Sequence, residues 1–146
     1  ELMYPGNPNG KSLLQRIEHW KASIHIIPQH EFIGVGTGGN QKAFDQAYEQ
    51  LNSPLYPENR MRSHNMFFAV QIGLGLMGTF VFISLFATLL LQAFKKKILL
   101  SLIVSCILLT SFLIEDTLET QVGIYILSLF VLPLMQKAEP TTVKTT

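Results

Sequence analysis

The sequence predicts an all-α integral membrane protein, on three observations. Charge is scarce, at 14% of 146 residues, against roughly 25% in an average soluble domain. Polarity is segregated. Residues 1–65 carry Lys11, Arg16, Lys21, Lys42, Arg60 and Arg62 against Glu1, Glu18, Glu31, Asp45, Glu49 and Glu58, whereas residues 66–94 carry no charge. Finally, that uncharged run, "MFFAVQIGLGLMGTFVFISLFATLLLQAF", exceeds the ~20 apolar residues that a bilayer-spanning helix needs. The expected architecture is a helical extracytoplasmic loop domain over 1–65, two to three transmembrane helices within 66–136, and a disordered cytoplasmic tail over 137–146. The chain reads as part of a larger polytopic bundle, since its opening "ELMYPGNPNG" has no initiator Met, basic n-region or apolar h-region of a signal peptide.

Within the loop domain, "SLLQRIEHWKASIHII" (12–27) reads as a helix. Ser12 and Gln15 fit a capping box. Leu13, Ile17, Trp20, Ile24 and Ile27 recur at 3–4 spacing as its expected apolar face, and Pro28 is the stop signal. "GVGTGG" (34–39) reads as a flexible turn, the alternative being a phosphate cradle ahead of a helix N-terminus. "NQKAFDQAYEQLN" (40–52) reads as a second helix, capped by Asn40, with Phe44, Ala47, Tyr48 and Leu51 facing inward. Pro54 and Pro57 lead to the membrane edge.

The spans are expected at 66–94, 98–114 and 122–135. The first is long enough to tilt, or to lay its first turns in the interface. Its Gly73, Gly75 and Gly78, with Ala69 and Thr79, form a small-residue face suited to close helix packing. The third is short and ends near Pro133, so an interfacial or re-entrant segment is the alternative. Lys95, Lys96 and Lys97 between the first two spans read as cytoplasmic under the positive-inside rule. That places 1–65 and "EDTLETQ" (115–121) outside.

Several classes of chemistry are excluded or weakened. A net charge of +1 carries no nucleic-acid signal. The single cysteine, Cys106, can build neither a disulfide framework nor a CxxC site. "GNPNGKS" is one residue too short between its glycines for a Walker A loop. Among the histidines there is no HExxH, so no metal or other cofactor is expected, and His19, His25 and His30 read as surface or interfacial. His64 differs. It stands at the mouth of the first span beside Arg60 and Arg62. An imidazole there can take a proton from a hydroxyl, and guanidiniums there can hold phosphate bidentately. A head-group-level histidine with arginines on lipid phosphate accounts for the same residues. Glu115, Asp116 and Glu119 end the second span on the same side. They are functional if they lie at membrane depth and unremarkable if they lie in water.

Four pieces in order resemble the O-antigen ligase and polymerase family of bacterial envelope enzymes. They are "SLLQRIEHW", with Arg16 preceding Trp20; the glycine stretch "IGVGTGG"; "HN" followed after nine residues by glycine (His64, Asn65, Gly75); and "IEDTLETQVGIYI", similar to Bacteroidetes-type members. The resemblance implies metal-independent glycosyl transfer in the bacterial inner membrane, with 1–65 as a periplasmic loop. The donor would be a glycan on undecaprenyl diphosphate and the acceptor a hydroxyl of lipid A–core or of a growing glycan. Membrane lipids are the other partner, and no nucleic acid is. It also implies His64 and Arg16 as catalytic residues, with Asn65 beside them; Arg60 and Arg62, from their place next to His64, and Glu115 and Glu119, at the same membrane face, are expected to bind substrate with them. A further family arginine would lie upstream, and about a dozen spans are expected in the whole protein.

Two rival readings come from other classes. A non-catalytic membrane subunit could use the loop domain to bind a partner, but has no need of the Arg16/His64 pair. A transporter should show charges inside its spans, and 66–94 and 98–114 have none.

Overall fold

The computed structural model describes residues 7–95 and 99–128. Their order is α1 (Ser12–Ile26), α2 (Asn40–Gln50), α3 (Met66–Lys95), α4 (Leu99–Ile114) and α5 (Gln121–Ile126), with 3₁₀ turns at Ile27–Gln29, Pro57–Asn59 and Thr117–Glu119. No strand occurs among the described residues. Lys96 and Lys97, most of the expected third span and the tail lie outside them.

Residues 7–65, for which the label loop domain is kept, form a pair of packed helices. Ala22 and Ile26 of α1 meet Phe44, Ala47 and Tyr48 of α2, and Leu55 and Ile72 close the core. The His25 ring bonds Gln50 Oε1 at 2.8 Å at the open end of the pair. The buried face of α1 is not the expected one. Leu13, Ile17, Trp20 and Ile24 are exposed, and His19, Ala22, Ser23 and Ile26 are buried. Small side chains explain the choice, because Ala22 and Ser23 let α2 approach closely. Two polar groups on this face are bonded as burial requires: the Ser23 hydroxyl donates to the His19 carbonyl at 2.8 Å, and His19 Nε2 meets the Asn59 carbonyl at 3.0 Å. On α2, Phe44, Ala47 and Tyr48 are buried as expected, but Leu51 is exposed.

The expected caps are absent. Lys11 is the N-cap of α1, with no side-chain bond, and Ser12 already lies in the first turn. Gly39, again without a side-chain bond, caps α2. Asn40 is the first helical residue, and its Oδ1 is buried without a partner. Pro28 sits inside a closing 3₁₀ turn, where its missing N–H costs nothing.

The long apolar run is broken rather than straight. Gly75 has φ 66° and ψ −164°, a region open essentially to glycine alone. The rings of Phe67 and Phe82 lie on opposite sides of this break, 5.7 Å apart, whereas a straight helix would hold their Cα atoms roughly 22 Å apart. The two halves of α3 therefore meet at an angle. Gln71 and Thr79 bridge the angle, hydroxyl to amide oxygen, at 2.7 Å.

The glycine stretch fills the break. Val35 N–H donates to the Ile72 carbonyl at 2.7 Å, Gly36 N–H to Gly73 at 3.0 Å, and Leu76 N–H to Glu31 at 2.7 Å. Residues 34–39 are thus no free turn. Val35 and Gly36, with the Glu31 carbonyl just ahead of them, supply the partners that the interrupted helix lacks. Glycine is required because a Cβ on Gly34 would lie 2.6 Å from the Ile72 carbonyl oxygen, and one on Gly75 would lie 2.3 Å from that of Phe32.

Beyond the break, α3 runs antiparallel to α4. Phe82, Phe86 and Phe112 form an aromatic cluster with centroids 4.8–5.6 Å apart. Met66, Val70, Leu89, Ala93 and Leu108 extend it. α3 is long and apolar enough to cross a membrane, and the apolar helix paired with it is shorter. Much of the surface of both is exposed leucine, isoleucine, valine and phenylalanine, as lipid-facing or helix-facing surfaces are.

Candidate functional site

Three side chains of the loop domain stitch down the extended segment that carries the candidate residues. His19 Nε2 bonds the Asn59 carbonyl, the Tyr48 hydroxyl donates to Met61, and Trp20 Nε1 donates to Ser63 at 3.1 Å. A carbonyl only accepts, so His19 carries its proton on Nε2. Burial lowers the His19 pKa, the bond to Asn59 opposes that shift, and the charges of His64 and Arg16 reinforce it. His19 is therefore a buried neutral imidazole, not the surface histidine expected. Its Nδ1 is buried with no partner. Burial also pushes the Tyr48 phenol up.

Held this way, 61–65 faces α1 across a cavity of about 190 Å³ lined by Ser12, Gln15, Arg16, His19, Met61, His64 and Glu115. Ser12, Gln15, Arg16 and His19 follow i, i+3, i+4, i+7, one face of a helix. That periodicity was available in the sequence. It was obscured by the stronger apolar stripe on another face. His64 sits in the left-handed region at φ 47°, which a histidine tolerates more readily than most residues. Its ring centroid is 5.7 Å from that of His19. Its Nδ1 lies 3.5 Å from Glu115 Oε2 and 3.8 Å from Asp116 Oδ1.

Arg16 bonds Glu115 Oε1 and the Ile114 carbonyl, each at 2.6 Å, across almost a hundred residues of sequence. Arg62 pairs with Glu119 and, at 3.9 Å, with Asp116. These pairs are partly exposed, so each is worth no more than about 1 kcal/mol. Their effect is positional, since they tie the loop domain to the end of α4.

The remaining expected residues stand elsewhere. Arg60 turns to the other side of the segment, its Nε donating to the Leu55 carbonyl at 3.2 Å and its guanidinium 5.9 Å from the Tyr48 ring centre. Asn65 is buried and commits both amide atoms. Oδ1 accepts from Phe68 N–H at 3.1 Å, the bond of an N-cap to α3, and Nδ2 donates to the Leu113 carbonyl at 3.0 Å. Asp116, left unassigned beside Glu115 and Glu119, joins the cluster between His64 and Arg62.

His64, Glu115 and Asp116 offer ligand atoms within 4.8 Å of one another and are the group among the described residues that could hold a metal ion. The donor set fits poorly, because both carboxylates already face a guanidinium. What the arrangement offers chemically is an imidazole oriented by carboxylates, beside two cations, at the end of an apolar helix pair.

The family model described as O-antigen ligase matches residues 6–83, more than half of the chain. The match covers α1, α2, the 59–65 segment and the break in α3, and stops short of the acidic residues. No curated protein and no solved structure matches the chain significantly.

Proposed function

Because the chain belongs to the O-antigen ligase family, we propose that the cavity between α1 and residues 61–65 is where it transfers a glycan from a lipid-linked donor to a hydroxyl. The family supports glycosyl transfer of the ligase or polymerase type in a membrane. The finer reading is that the donor glycan is carried on undecaprenyl diphosphate. The acceptor is a hydroxyl of lipid A–core or of a growing glycan, and reaction occurs at the periplasmic face of the inner membrane. The single observation that carries it is that Arg16 and His64, 48 positions apart in the numbering, line one cavity at the entrance to an apolar helix.

In this scheme the acceptor oxygen attacks the anomeric carbon. The bond from that carbon to the diphosphate oxygen breaks, and the electron pair leaves with the diphosphate. His64 takes the hydroxyl proton on Nε2, while Glu115, 3.5 Å from Nδ1, holds the ring in the tautomer that leaves Nε2 free. Arg16 exchanges the Glu115 carboxylate for the diphosphate and, with Arg62, stabilises charge as it develops on the leaving group. Two guanidiniums supply the positive charge that a metal ion supplies elsewhere. Glu119 and Asp116 set the resting position of Arg62. Asn65 contributes by capping α3 and fixing His64 beside the end of α4. The apolar groove along both halves of α3, lined from Met66 to Leu85, is open to the lipid tail of the donor.

The test is transfer of a labelled glycan from a lipid-linked donor in membranes carrying the full-length protein. A positioned base contributes roughly 10²–10⁴-fold, or ~3–5 kcal/mol, so His64→Ala and His64→Gln should both lose that much rate while inserting normally. Near-normal turnover in His64→Gln would reduce the residue to orienting the acceptor and move the base to Glu115 or Glu119. The rival reading, a non-catalytic subunit with a partner-binding loop, predicts no transfer by the unaltered protein.

A further inference from the structure

Large apolar side chains surround the break at Gly75. Phe32, Ile33, Leu74, Leu76, Met77 and Phe80 are all exposed, Ile33 by 84%. Two of them, Phe32 and Ile33, belong to the loop domain rather than to the apolar run.

Depth identifies what covers them. From Leu76 to Lys95 the second half of α3 holds about 20 residues and is roughly 30 Å long, the thickness of a bilayer's hydrocarbon core. With Lys95 at one edge of the hydrocarbon, Leu76 lies at the other. The Glu31 carbonyl accepts from Leu76 N–H at 2.7 Å, and Phe32 lies so close to Gly75 that no side chain fits between them. Phe32 and Ile33 are therefore held at the same level as Leu76, continuous with the uncharged surface of α3.

The backbone points the same way. Irregular chain at membrane depth persists only where its N–H and C=O groups are paired within the protein. Gly34 N–H donates to His30 at 3.1 Å, and Val35 and Gly36 donate to the carbonyls of Ile72 and Gly73. The Glu31 carbonyl accepts a second bond from Gln71 Nε2 at 3.1 Å.

We propose that the turn at residues 31–36 is a membrane anchor, whose partner is lipid: Phe32 and Ile33 enter the acyl-chain region at the edge of the bilayer opposite Lys95. The loop domain is then fixed over the membrane at two places, by the ion pairs at the end of α4 and by this turn. The anchor depends on α3 crossing the bilayer and not on which residue acts as base.

Trp20 is the only tryptophan of these 146 residues, so a background in which it and every tryptophan outside them is replaced by phenylalanine, carrying Phe32→Trp or Ile33→Trp, reports from the turn alone. The full-length protein is placed in phosphatidylethanolamine–phosphatidylglycerol vesicles. Lipids brominated near the glycerol end of the acyl chain should quench this tryptophan several-fold more than lipids brominated near the chain terminus. Aqueous iodide should quench it several-fold less than it quenches free tryptophan. Iodide quenching equal to that of free tryptophan would place the turn in water and overturn the proposal. Quenching by neither agent would place a protein surface there, a second copy or a neighbouring helix, and would overturn it too. If that background does not fold, a spin label on Phe32→Cys serves instead, in a background with Cys106→Ser and any cysteine outside these residues also replaced by serine. Collision with oxygen should then exceed collision with a water-soluble nickel chelate, and the reverse order refutes the anchor.

Discussion

Gly75→Ala is the perturbation on which the architecture makes its sharpest demand. Two costs combine. The backbone at φ 66°, ψ −164° strains an L-residue by about 1–3 kcal/mol. The added Cβ would also sit 2.3 Å from the Phe32 oxygen, 2.4 Å from its carbonyl carbon and 2.6 Å from Ile33 N. These are backbone atoms, so the turn must move as a unit. Moving it endangers three hydrogen bonds, Val35 to Ile72, Gly36 to Gly73 and Leu76 to Glu31, each worth about 0.5–1.5 kcal/mol. A total loss of about 2–5 kcal/mol follows even if only half of that bonding fails. Gly36→Ala is the internal control. Gly36 also has a positive φ, 77°, but a Cβ there meets nothing within 4 Å, so strain alone should apply, about 1–2 kcal/mol. Reversible unfolding in mixed micelles, followed by circular dichroism, measures both. Hydrogen exchange at Val35, Gly36 and Leu76 then shows whether the turn has detached. A Gly75→Ala variant no less stable than Gly36→Ala, with those amides still protected, would refute the docked turn.

Other consequences are more local. His19 has its pKa lowered in the fold, so below its ordinary value of about 6.5 the unfolded chain binds the proton first. Its contribution to stability is full above that value and is lost as pH falls through the depressed folded value. His19→Gln, which can still donate to the Asn59 carbonyl, should flatten the decline in denaturation midpoints between neutral and acidic pH, and an unchanged slope would exclude His19 as its source. Asn65→Ala removes both the α3 cap and the bond to Leu113 and should cost about 1–2 kcal/mol in the same unfolding assay, a loss that Asn65→Asp recovers in part through the cap. Arg16→Lys replaces a planar fork by a point charge and should slow glycan transfer roughly tenfold or more; full activity would remove the bidentate role, and full activity in Arg16→Ala would remove the residue from the site.

Much of this protein was legible in the chain. Helix positions were, because periodicity and glycine or proline punctuation act locally: α1 and α2 lie where 3–4 spacing and Pro28 put them. That the 29 uncharged residues from Met66 are helical was equally plain, although the break at Gly75 was not. The residues of the candidate site were visible as types, His64 and Arg62 from their place at the mouth of the first span, Glu115 from the end of the second, and Arg16 from the family resemblance. Their grouping was not. Arg16 and Glu115 are separated by almost the whole described chain, and nothing local says that the tip of α1 must reach the end of α4. The role of Asn65 was hidden for the same reason, because a cap and a tie to Leu113 exist only once α3 and α4 lie side by side.

Tertiary structure alone decided two further matters. It chose the buried face of α1, where the close approach allowed by Ala22 and Ser23 outweighed the hydrophobicity of Leu13, Ile17 and Ile24. Hydrophobic periodicity measures what a face would gain from burial but not whether a partner can reach it. It also turned Gly75 from one small residue among several into a break in the helix. A glycine permits a positive φ without requiring it, and the conformation appears only because the 31–36 turn supplies the hydrogen bonds that the broken helix would otherwise lose.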